Sequence, residues 1–231
     1  MGDEEVGMPI GHGTRERFIG SLVCAATLLM CAGCAIGPSV RGDGSRAPLA
    51  ATPQAPHGTP SPTVLYQSSL TGQLSDWPHD QPYAVDASGF HIIGGYLAYA
   101  PIGVLGDFAE QVEVKQVAGP TTAGYGIAFR HSSYNRYEFD IQSRGDWYIL
   151  QDINGKFSDL IAPTSNSAIH TGLNAKNTLM VRARGDHFEF FINGAKVGEV
   201  DDSAHPSGQV GLDGDDHAEV VFSNLLITAL S

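Results

Sequence analysis

Beyond position 34 this chain of 231 residues contains no cysteine; its three, Cys24, Cys31 and Cys34, all stand near the N-terminus. That absence excludes disulfides and thiolate metal sites from everything downstream. Basic residues are also scarce, 13 Lys and Arg against 25 Asp and Glu, for a net charge of −12 at pH 7. Such a surface repels phosphate backbones and anionic membrane surfaces, so no nucleic-acid partner is expected. No apolar run reaches the roughly 20 residues of a membrane-spanning helix. No segment sustains apolar spacing of three and four, so almost no helix is expected. The histidines are scattered without a His-x-x-x-His pair, which argues against zinc. Neither a Gly-x-Ser-x-Gly elbow nor a phosphate-cradling glycine loop is present.

What the N-terminus does have is an address. Arg15 and Arg17 precede an apolar run over 18–30, followed by Cys31-Ala-Gly-Cys34. A short basic region, about a dozen apolar residues and small residues before a cut are the layout of a secretory signal. Ala32-Gly33-Cys34 resembles the end of a bacterial lipobox, with Cys31 where that pattern prefers leucine. The resemblance implies a signal peptide over 1–33, cleavage before Cys34 and lipidation of Cys34. The expected product is an exported lipoprotein, anchored in the cell membrane through lipid alone and facing the extracytoplasmic side.

Residues 34–63 read as a linker. The stretch 50–62 has four prolines in thirteen residues and almost nothing large and apolar. It cannot build a core, and its prolines favour extended segments. From 64 to 231 the pattern becomes that of a single β domain. In Arg136-Tyr-Glu-Phe-Asp-Ile-Gln142 the residues Tyr137, Phe139 and Ile141 share one face and Arg136, Glu138, Asp140 and Gln142 the other. A period of two marks a half-buried strand. Similar patterns predict strands over 96–100, 108–117, 125–130, 147–152, 178–184, 187–192, 195–200, 209–212 and 219–228. Asn193-Gly194 and Asn154-Gly155 are tight-turn signals, because both turn residues need positive φ. Trp77 is expected in the core. Some ten short strands joined by polar turns predict an all-β sandwich or barrel.

The C-terminal third carries a family likeness. Asn177-Thr-Leu-Met-Val-Arg-Ala-Arg184, the hairpin through Asn193-Gly194, Gly208-Gln-Val-Gly-Leu212 and Val221-Phe-Ser-Asn-Leu-Leu-Ile227 resemble the closing strands of concanavalin A-like sandwich domains. The likeness is greatest to the laminin-G-like and 3-keto-disaccharide hydrolase-like groups. Gly126-Ile-Ala-Phe-Arg130 and Tyr134-Asn-Arg-Tyr-Glu-Phe-Asp140 are similar to the same group. The resemblance implies a two-sheet antiparallel jelly-roll sandwich over about 65–231, with a concave face where glycans commonly bind. Fold analogy does not by itself establish function.

Catalytic family-16 glycosidases place Glu, Asp and Glu on alternate positions of one strand. Here Glu138 and Asp140 match the first two, but Gln142 or Ser143 stands where the acid/base glutamate belongs. An amide cannot donate and recover the proton, so no catalytic residue is assigned. Asp213-Gly-Asp-Asp216 and Asp201-Asp202 are oxygen-rich turns that could donate to Ca²⁺; solvated turns are the simpler reading, and no cofactor or metal is assigned. A polar strand face cannot lie unpaired in a core, and aromatics give sugars flat apolar area. The ligand-binding candidates are therefore Tyr125, Arg130, Tyr134, Arg136, Glu138, Asp140, Trp147 and Tyr148. Trp147 and Tyr148 are adjacent and point to opposite faces, so only one can serve. The leading expectation is a tethered, non-catalytic carbohydrate-binding domain with a glycan as partner. A glycoside or 3-keto-disaccharide hydrolase and a structural or protein-adhesion sandwich are the alternatives.

Overall fold

The computed structural model describes residues 62–230. The expected signal segment 1–33, Cys34 and nearly all of the linker lie outside the described residues. In chain order the strands are β1 (Val64–Ser68), β2 (Tyr83–Asp86), β3 (Gly89–Ile93), β4 (Leu97–Tyr99), β5 (Phe108–Ala118), β6 (Gly124–Ser132) and β7 (Asn135–Gln142). They continue with β8 (Asp146–Ile153), β9 (Lys156–Ser165), β10 (Asn177–Arg184), β11 (His187–Ile192), β12 (Ala195–Asp201), β13 (Gln209–Gly214) and β14 (Glu219–Ala229). The described residues contain no helix.

The strands form two antiparallel sheets. The larger runs β12-β11-β10-β5-β14-β3-β2, with β1 also paired to β14; the smaller runs β4-β13-β6-β7-β8-β9. Each buries one face of alternate side chains in a common core. The larger sheet contributes Phe108, Val112, Val114, Leu179, Val181, Phe188, Phe190, Leu225 and Ile227; the smaller contributes Ile127, Phe129, Tyr137, Phe139, Ile141, Trp147 and Ile149. The result is a jelly-roll-like β-sandwich: alternation predicted a sandwich or barrel, and the family resemblance implied the jelly roll. Trp77 is buried, with its Nε1 donating to the Tyr66 hydroxyl at 2.8 Å and its ring 5.2 Å from Phe90.

Both predicted tight turns form. Asn154 and Gly155 have φ of 54° and 78°, and Asn193 and Gly194 have 51° and 82°, the left-handed pair a two-residue hairpin needs. Asn193 also ties its hairpin to the rest of the domain. Its Oδ1 accepts from the Thr178 amide, and its Nδ2 donates to the carbonyl of Ala168 and to Asn177 Oδ1, all at 2.7–2.8 Å. Replacing Asn193 with alanine strains the turn and strips these bonds. It is expected to cost about 2 kcal/mol of stability, read from the urea midpoint of unfolding; Asn193→Asp should not rescue it, since its second carboxylate oxygen would face the Ala168 and Asn177 acceptors.

Strands β1, β2, β3 and β9 were not among the segments predicted individually. β9 forms the edge of the smaller sheet, and most of it is exposed. Pro163 lies within it, a position tolerated because an edge strand leaves one row of amides unpaired. An edge strand buries little on either face and therefore shows no alternation.

Candidate functional site

The central strand of the site is β7. Tyr137, Phe139 and Ile141 enter the core, so Arg136, Glu138, Asp140 and Gln142 project from the other face of the smaller sheet. Register determines what stands beside them. Across β7 and β8, Arg136 pairs with Asp152, Glu138 with Leu150 and Asp140 with Tyr148. Across β6 and β7, Gly126 pairs with Asp140 and Ala128 with Glu138; across β13 and β6, Asp213 pairs with Gly126. The face thus gathers carboxylates from three strands, separated on β6 by a residue that has no side chain.

Arg136 is the hub. Its Nε donates to Glu138 Oε1 and its Nη1 to Asp152 Oδ2, both at 2.7 Å. All three side chains are at most 3% exposed. The guanidinium carbon lies 5.3 Å from the centre of the Phe157 ring on β9, a cation–π arrangement. Burial alone would lower the Arg136 pKa; Glu138, Asp213 and Asp152 outweigh it and hold the pKa above its usual value. Arg136 Nη2 and Asp152 Oδ1 are buried and have no hydrogen-bond partner among the described residues. One is a donor and one an acceptor.

Carboxylate oxygens of Glu138, Asp140 and Asp213 lie within 4.8 Å of one another. Strands two apart in a sheet are separated by about 9.5 Å, so Asp140 and Asp213 meet by leaning over Gly126. Such a set could hold a hard cation such as Ca²⁺, which takes oxygen ligands at about 2.3–2.6 Å. His187, Glu189 and Glu199 form a second group on the larger sheet, where Lys196 Nζ already lies 2.6 Å from both glutamates.

Aromatic rings border the polar row. Tyr148 leans across the sheet to β6, where a Cβ at Gly124 would overlap its hydroxyl and approach Asp140 Oδ2 to 3.1 Å. Tyr99 on β4 stacks on His131 at the end of β6, with centroids 4.5 Å apart and planes 20° apart. Burial raises the Tyr99 pKa; nearby Arg136 opposes this while Asp213 and Glu138 add to it. Burial, reinforced by Arg136, lowers the pKa of His131, so its ring is neutral at pH 7.

Of the eight predicted ligand residues, the structure brings Arg136, Glu138, Asp140 and Tyr148 together and places four elsewhere. Tyr125 belongs to the core, its hydroxyl 2.9 Å from Ser143 Oγ. Trp147 is also a core residue, in edge contact with Phe139 and packed against Gly198; of the adjacent aromatic pair, Tyr148 is the one on the polar face. Arg130 is turned away by a register shift between Phe129 and Ser132 and a φ of 52°. Its guanidinium binds the carbonyls of His205 and Gly106 above the Phe188 ring. Tyr134 is 71% exposed in the turn after β6. The acidic turns also divide. Asp213 joins the site, while Asp215 accepts from the Gly124 amide. Asp201 binds His187, and Asp202 accepts from Tyr137 and Gln151. Gln142 spends its amide on the Thr122 carbonyl and on Arg144.

Tyr99, His131, Asp152, Phe157 and Asp213 were missed as site residues. Asp152 had a signal, because a tight turn over 143–145 forces it opposite Arg136. The others reach the face only through tertiary pairing.

The fold is similar to that of the carbohydrate binding module CBM66 from Bacillus subtilis, with 21% identity, a TM-score of 0.59 and coverage of 67% of this chain and 96% of that one. It is also similar to a protein of unknown function with galectin-like fold from Bacillus subtilis, with 10% identity, a TM-score of 0.60 and coverage of 72% and 96%. The GH43 BlXynB protein from Bacillus licheniformis matches at 11% identity and a TM-score of 0.54, over 71% of this chain but 39% of that one. No curated protein matches. Residues 73–228 match a family model, that of the 3-keto-alpha-glucoside-1,2-lyase-like domain. The match spans well over half of the chain and contains the entire polar face, so this is a carbohydrate-related sandwich domain that belongs to the 3-keto-alpha-glucoside-1,2-lyase-like family.

Proposed function

We propose that the polar face of the smaller sheet binds a carbohydrate without transforming it, and that the chain is an exported lipoprotein held to the membrane through lipid on Cys34. The observation that carries the binding reading is the Arg136 hub. Glu138 and Asp152 hold the guanidinium still, while Nη2 and Asp152 Oδ1, both buried, have no partner among the described residues. A vicinal pair of sugar hydroxyls offers the matching acceptor and donor. Charge-assisted hydrogen bonds are the strong ones, and the fixed geometry spares the ordering cost of binding. Tyr99, close enough to feel Arg136 and Glu138, supplies an apolar face near the hub, and Tyr148 lies farther along the same face beside Asp140. The likeness to a carbohydrate binding module supports this reading at the level of fold.

Gly124→Ala tests it without a backbone clash: the added methyl would meet the Tyr148 hydroxyl and approach Asp140 Oδ2, so the buried ring has to shift. Calorimetric titration of the full chain with the best ligand from a glycan array should show binding weakened about tenfold, with the unfolding midpoint measured alongside to separate this from a loss of folded protein. Equal affinities for the two proteins would remove this face as the site.

A second reading is favoured by the convergence of Glu138, Asp140 and Asp213 and by the name of the family: lyase or hydrolase action on a glycoside or 3-keto-disaccharide. Turnover of a 3-keto-glucoside panel by the wild-type chain, abolished by Asp140→Asn, would establish it in place of simple binding.

A further inference from the structure

We infer that Glu110 makes folding of this sandwich proton-dependent, because the core closes around its side chain only as the neutral acid. Glu110 stands on the inner face of β5 between Phe108 and Val112, and it is 0% exposed. Its cross-strand neighbours are Val181 on β10 and Ile227 on β14. Neither carboxyl oxygen has a hydrogen-bond partner among the described residues. The nearest inner-face residues along those strands are also apolar, Leu179 and Ala183 on β10 and Leu225 on β14.

Among the described residues no counter-charge reaches it. The titratable groups inside the opposite sheet are Tyr125, on Ser143; Tyr137, on Asp202; and Arg130, on two backbone carbonyls. His205 packs beside Tyr137. The other charges of β5, Glu113 and Lys115, alternate to the outer face. An ionised carboxylate in such surroundings is far costlier than a neutral acid. Burial pushes the Glu110 pKa well above its usual 4.5 and is the sole cause of that shift.

The sign follows from linkage. The folded state binds the Glu110 proton more tightly than the unfolded chain does. Its contribution is therefore most favourable below pH 4.5 and is lost as the pH rises toward the folded pKa. Within that window each pH unit lowers the folding equilibrium constant about tenfold. Glu110→Gln keeps the shape and removes the proton.

The test is urea unfolding of the full chain across a pH series, wild type beside Glu110→Gln. The ratio of their folding constants should move about tenfold per pH unit in favour of the variant. Parallel profiles would overturn the inference. If the glutamine variant does not fold, the infrared spectrum decides. The wild type at neutral pH should show a protonated-carboxyl band that Glu110→Leu lacks, and identical spectra in that region would refute the assignment.

Discussion

Arg136→Ala is expected to destabilise the domain by about 3 kcal/mol and to abolish ligand binding. The side chain fastens two carboxylates, Glu138 at 1% exposure and Asp152 at 3%. Removing the cation leaves both buried carboxylates without the guanidinium that bridges them. That cost exceeds the value of the ion pairs themselves, since the pairs also had to overcome desolvation to form. The distinction is measurable. A triple replacement, Arg136→Met with Glu138→Gln and Asp152→Asn, removes all three charges together and should recover most of the lost stability while binding stays absent. Arg136→Lys should fall between, because an ammonium is a point charge and cannot span two carboxylates with a planar fork. Urea unfolding of the three variants checks the series. A loss under 1 kcal/mol for the alanine variant would show that Glu138 and Asp152 do not depend on Arg136.

Gly126→Ala is expected to be comparably damaging for a steric reason. A Cβ there would overlap the Phe139 carbonyl oxygen and lie 3.1 Å from the Asp140 Cα. These are backbone atoms of the neighbouring central strand and cannot step aside singly. Either β6 and β7 part or the register changes, at a cost of about 3 kcal/mol. The consequence for the site is specific, because Gly126 separates Asp140 from Asp213 across the sheet. Spreading the strands would pull the three-carboxylate group apart. Thermal unfolding measures the first effect and a crystal structure of the variant the second. Gly124→Ala, which meets a side-chain tip rather than backbone, is the control that should leave the strands in place. Equal melting temperatures for Gly126→Ala and the wild type would contradict the close approach of β6 and β7.

Alternation along the chain was sufficient to read most of the sandwich. The strands over 187–192 and around 136–142 appear where the period of two puts them, and Asn193-Gly194 makes the hairpin its chemistry requires. Local pattern succeeds there because pleating alternates side chains in any sheet, and because a two-residue turn restricts φ by itself. The same reasoning correctly separated Tyr137, Phe139 and Ile141 from Arg136, Glu138 and Asp140. It could not choose between Trp147 and Tyr148. That choice depends on which face of β8 meets the larger sheet, where Gly198 leaves room for the indole.

The polar face was therefore half legible. Glu138 and Asp140 announced themselves as ionic residues on a strand that had to be buried on one side. Their companions came from elsewhere: Tyr99 forty-one residues before Asp140, and Asp213 seventy-three after it. No short-range signal links such positions, because strand order in a sheet is set by how whole layers pack and not by neighbours in the chain. Arg130 shows the converse. A single register shift rotated a cation that alternation placed on the ligand face, and bound it to loop carbonyls instead. Side-chain period decided which atoms could face away from the core; the pairing of β13, β6, β7 and β8 decided which of them would meet, because only folding brings distant backbones within about 5 Å of one another.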